Sequence, residues 1–161
     1  MGRILSRRSC RLKRVVEPIQ IAGAEFESLD AMMHAAADNA VRIAADDHGM
    51  TLDYSRESIA RLETVLAARA PVPGADMESE TRLWGAYFGE VFRGRYPGEW
   101  IMAVYPGRDV AMPALNIGGS HVYPLLKVFR RLTMGAGEDL AGFYAKVTTA
   151  LEAAKGKQPD R

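Results

Sequence analysis

The sequence predicts a single α+β domain in which about five helices pack on a small antiparallel sheet of two or three strands. Three observations carry that expectation. Apolar residues recur at three- and four-residue steps across residues 28–48, 55–69 and 76–94, the spacing of one buried helix face. The period then changes to two over residues 100–105 and is followed by the turn sequence PGRD, as a β-hairpin requires. Helical spacing returns after Pro124. At 161 residues the chain has the size of one domain and can bury a core without disulfides or a structural metal.

Taken in order, Leu29, Met32, Met33, Ala36, Ala40, Ile43 and Ala44 form the stripe of a first helix, with Ser28 as its N-cap and Gly49 as its stop. A short extended piece, MTLDY, leads to Ser55, and Ile59, Leu62 and Leu66 mark a second helix that ends before the loop APVPGAD. A third helix is expected from about Asp76 to Gly94. Trp100, Met102 and Val104 then alternate with Ile101, Ala103 and Tyr105, and the turn at 106–109 leads into VAMPALNI. Pro113 cannot donate to a ladder, which places this second strand at an edge or at a bulge. GGSHVY adds a third short strand, Pro124 suits the first turn of a helix through Leu132, and Gly135 and Gly137 interrupt the chain. Leu140, Phe143, Tyr144, Val147 and Leu151 form a last amphipathic helix. The expected organisation is a basic arm over residues 1–17, the domain over 18–154 and a polar tail over 155–161.

The stretch TRLWGAYFGEVFRGRYPGEW carries Gly85 and Gly89 inside the third helix, where each costs about 0.8–1 kcal/mol relative to Ala. At roughly 100° per residue, Trp84, Phe88 and Val91 centre the core face, flanked by Tyr87, Leu83 and Phe92. Arg82, Ala86 and Arg93 point away, Glu90 lies at one margin, and the two glycines form a flat strip at the other. A neighbouring helix or the sheet is expected to press on that strip.

Charge is uneven along the chain. Residues 1–17 hold six Arg/Lys and one Glu, whereas the remainder holds 15 basic and 19 acidic residues. Residues 18–60 hold eight carboxylates against only Arg42 and Arg56, a field that would attract a basic partner or the chain's own arm. The longest stretch without Asp, Glu, Lys or Arg, Val110 to Leu126, contains Pro, Asn, Gly, Ser and His and is no credible membrane span. The arm has no continuous apolar segment of a secretory signal. One cysteine, Cys10, excludes a disulfide framework and a cysteine-rich zinc site. A cytoplasmic location is expected, and the Ala- and Arg-rich composition points to GC-rich bacterial coding. MGRILS formally fits a myristoylation pattern, which that origin disfavours. The arm itself suggests a solvated tail, with nucleic acid or an anionic membrane as the other reading.

LDYSRESIARLE at 52–63, WGAYFGEVFR at 84–93 and GGSHVYPLLKVFRRL at 118–132 together resemble the ordered motifs of an uncharacterised bacterial domain-of-unknown-function family. The resemblance covers about Leu52 to Tyr144, rests mainly on Trp84, Gly85, Tyr87, Gly89, Glu90 and Arg93, and implies unity of fold without implying an activity. The basic arm lies outside it.

Glu90 is the best single acid candidate, because a core margin can desolvate a carboxylate and raise its pKa. Arg93, one turn on, offers the alternative of a helix ion pair. Ser120 and His121 follow Gly118 and Gly119 and provide a nucleophile and a base in name. The nucleophile elbow and the P-loop lysine are missing, and adjacent strand residues face opposite ways. His34 with Asp38, and His48 after Asp46 and Asp47, do not make a metal motif. No metal and no cofactor are expected. The resulting expectation is a small cytoplasmic bacterial protein-binding domain of the immunity or accessory type, acting through Asp38, Asp46, Asp47, Asp53 and Glu57 on a protein partner, with a basic one the best match to their charge. The alternatives are a ligand-binding or hydrolase-like domain using Glu90, Arg93 and the Gly118–His121 turn, and a nucleic-acid or membrane-surface adaptor using the arm.

Overall fold

The computed structural model describes residues 19–21 and 24–157. The basic arm of residues 1–17 and the end of the polar tail, residues 158–161, lie outside the described residues. Two three-residue strands, β1 (Ile19–Ile21) and β2 (Ala24–Phe26), pair antiparallel as a small sheet of their own. This hairpin was not among the sequence-based expectations. The first helix, α1 (Leu29–His48), begins where the Ser28 hydroxyl accepts from the Ala31 N–H at 3.1 Å, satisfying one of the free donors of the first turn. It ends at Gly49, whose φ of 61° lies in the left-handed region open to glycine.

The short piece MTLDY joins no sheet. Residues 50–54 form a connecting loop that turns at Tyr54, a non-glycine residue with φ of 61°. The second helix, α2 (Ser58–Arg69), starts three residues after Ser55, and a single 3-10 turn (Gly74–Asp76) leads into α3 (Met77–Arg93). Next comes a three-stranded antiparallel sheet in the order β3 (Glu99–Val104), β4 (Ala111–Ile117), β5 (Ser120–Val122). The β4–β5 turn is the pair Gly118 and Gly119, at φ 58° and 86°, the signs a two-residue turn of type I′ needs. Two helices close the fold, α4 (Pro124–Met134) and α5 (Leu140–Lys155). Helix α5 thus takes in Lys155, which was expected in the tail.

Pro113 corrects an expectation: it lies in the central strand, not an edge strand. Its position remains compatible with proline chemistry, because β5 pairs only with residues 115–117 of β4. At Pro113, which faces Met102, only β3 flanks the strand, so the missing N–H interrupts no second ladder.

Helix α3 is the centre of the molecule, with α1 and α4 as its principal neighbours. All residues from Trp84 to Phe92 are buried, so Ala86, expected to point away, is fully enclosed. A helix covered on several sides is read as a one-faced helix only if its neighbours are ignored. The expectation for the glycine strip holds on both counts. A Cβ on Gly85 would lie 2.8 Å from the Leu125 Cα in α4, and one on Gly89 would overlap Cζ2 and Cη2 of Trp100 in β3. The missing side chains let a helix backbone and an indole ring approach α3. Beyond that strip, Phe92 packs on Tyr144 of α5 with ring centroids 4.8 Å apart, and Phe88 on Phe143 at 6.0 Å.

Candidate functional site

The residues of the aromatic-glycine motif each have a partner within the fold. The Trp84 indole N–H donates to Glu80 at 2.8 Å, and its ring carries the Arg69 guanidinium at 5.4 Å. The Tyr87 hydroxyl accepts from the Tyr54 N–H at 2.9 Å and shares a 2.6 Å hydrogen bond with Ser58. Tyr54 is thereby held in its left-handed conformation, with its ring stacked on Tyr87 at 4.9 Å and its hydroxyl donating to Asp38 at 2.8 Å. Burial and the Asp38 hydrogen bond push the Tyr54 phenol well above its ordinary pKa. Burial also raises Tyr87, against the opposing hydrogen bonds from Ser58 and the Tyr54 backbone.

Glu90 is 8% exposed and closely engaged. Its Oε1 accepts from the Trp100 indole at 2.8 Å and from Arg93 at 3.1 Å, while Oε2 faces His34 Nδ1 at 3.5 Å. Arg93 extends the cluster to Asp30 at 3.0 Å, and the same Asp30 oxygen accepts the Trp100 backbone N–H at 3.1 Å. Exposed His34 also approaches Asp38 at 3.7 Å. This arrangement clamps α1, α3 and β3 together. A general acid or base must reach the proton it transfers, and here the carboxylate oxygens are directed at fold partners. Sequence reasoning selected Glu90 and Arg93 but missed Asp30, Tyr54 and Trp100, and it did not connect His34 to Glu90. These contacts join elements distant in sequence and leave no local spacing signal.

Glu90 and His121 do not share a cavity. His121 is exposed on β5 and lines, with Ser120, a cleft of about 320 Å³ against α4 and α5; Glu90 and Arg93 are not among its walls. The composite site combining Glu90, Arg93 and the Gly118–His121 turn is therefore not assembled. Among the described residues, no three His, Cys, Asp or Glu side chains come together in a group able to hold a metal ion.

Asp38, Asp46, Asp47, Asp53 and Glu57 are all exposed. The Tyr54 hydroxyl ties the loop carrying Asp53 to α1 at Asp38, while Asp46 and Asp47 lie at the far end of that helix. Their field is partly offset within the molecule: Arg42 lies 3.7 Å from Asp46 and Arg61 lies 2.9 Å from Asp53. Hydrogen bonds from Ser55 hold the Asp53 carboxyl below its ordinary pKa, with Arg61 contributing in the same direction. Among the described residues Asp47 and Glu57 make no ion pair. No described helix is long and apolar enough to cross a membrane. Comparison with family models, curated proteins and solved structures finds no match to the chain.

Proposed function

We propose that the chain is a protein-binding domain that presents the carboxylates of α1 and the following loop to a basic partner. One contrast supports this reading. The acid best placed for catalysis, Glu90, is bound by Trp100 and Arg93, whereas Asp38, Asp46, Asp47, Asp53 and Glu57 face solvent. Exposed carboxylates that retain their charge steer a cationic partner and set its association rate more than its final affinity.

The test is kinetic. A partner recovered from the cells that make the protein is purified, and its association with the parent and with the triple variant Asp38→Asn, Asp46→Asn, Asp47→Asn is followed at low and high salt. The amide oxygen introduced by Asp38→Asn can still accept from Tyr54, so circular dichroism is expected to be unchanged. Association should slow about tenfold in the triple variant, and the parent should lose rate as salt rises. Equal association rates for the two proteins would remove this surface from recognition.

A further inference from the structure

We infer that the cleft bounded by β5, α4 and α5 binds a small organic anion with an apolar body, of the class of a medium-chain carboxylate. The inference is independent of the acidic surface. Phe143, Val147 and Leu151 recur at four-residue steps along α5 and form an apolar wall, faced by Leu126 of α4. Lys127 and Arg130 extend from the same stretch of α4, and His121 closes the cleft from β5. No Asp or Glu lines it, although the chain after residue 17 carries more acidic than basic residues.

The cations are not equivalent. Lys127 is paired with Glu138 at 2.6 Å and lies 5.6 Å from the centroid of the Phe143 ring, so its charge is already balanced. Arg130 makes no ion pair among the described residues, although its charge adds to the hydrogen bond and charge of Lys127 in lowering the pKa of the Glu138 carboxyl. An incoming carboxylate therefore finds a guanidinium able to donate two parallel hydrogen bonds, with a ring N–H of His121 as a further donor. The apolar wall takes the rest of the molecule. A volume of about 320 Å³ lies at the small end of the range for ligand sites, and a mostly apolar lining with a few convergent polar groups is their usual composition.

The experiment is a titration of the full chain with sodium octanoate, 1-octanol and sodium acetate, followed by backbone amide shifts. Octanoate should give saturable shifts confined to residues 120–130 and 143–151, octanol should bind at least about tenfold more weakly, and acetate should not bind. Arg130→Gln should weaken octanoate about tenfold and abolish its advantage over octanol. Ala150→Trp and, separately, Val147→Trp should block octanoate, so one misfolded variant leaves the other as a test. Equal binding of octanoate and octanol would overturn the assignment, as would octanoate shifts that persist in Arg130→Gln and both tryptophan variants, or no saturable shift at all.

Discussion

At Glu80 two opposing effects act on one carboxylate. Burial is the largest single influence and raises its pKa, but hydrogen bonds from Arg69 and the Trp84 indole, together with the charges of Arg69 and His48, hold it below the ordinary glutamate value. A carboxylate whose folded-state pKa is depressed stabilises the fold above its unfolded pKa and loses that contribution as pH falls through the folded value. Glu80→Gln should therefore cost on the order of 1 kcal/mol at pH 7, and the gap to the parent should narrow below about pH 4. Urea unfolding of both proteins at pH 7 and pH 3 checks this; a gap that widened on acidification would reverse the sign. Residue-scale chemistry was only partly legible in the sequence. Glu90 stood out from its place at the margin of the core face and Arg93 from lying one helical turn on, whereas Glu80 needs Arg69 from another helix, and Glu90 needs Trp100 from a strand.

Between elements, Glu63 of α2 has a comparable role. Its Oε2 accepts from buried Arg131 of α4 at 2.7 Å, and its Oε1 accepts from the Leu140 N–H at 2.6 Å, at the positive end of α5. One carboxylate thus joins three helices. Removing it leaves a buried guanidinium without its partner, so Glu63→Ala should cost roughly 2–4 kcal/mol. Chemical denaturation with an unchanged m-value would measure that loss; a cost under about 0.5 kcal/mol would show that Arg131 finds an equivalent partner. Element boundaries set by local chemistry were readable: Ser28 caps α1, Gly49 ends it, and the paired glycines turn β4 into β5. The β1–β2 hairpin was not, because three-residue strands are too short to display a period of two. Pro113 misled for another reason: a missing N–H identifies a locally unflanked stretch, and a central strand can contain one when its neighbour is short.

For the molecule as a whole, α3 is the part on which the other elements are set, and its glycines are the points of closest approach. The enclosure of Ala86 was not legible beforehand, because a helical wheel represents one helix without its neighbours. The wheel did place Gly85 and Gly89 on a single strip, and the structure fills that strip with Leu125 and Trp100. If Gly89 is present to admit the indole, its substitution should depend on residue 100. In the parent, Gly89→Ala should destabilise by about 1–3 kcal/mol, overpacking outweighing the better helix former. In a Trp100→Leu background the same change should be neutral or stabilising by up to about 1 kcal/mol, since the ring atoms it would strike are gone. A double-mutant cycle by urea unfolding measures both, and the predicted result is this change of sign. Gly89→Ala with the same effect in both backgrounds would contradict the role of α3 as the close-packed centre on which the sheet rests.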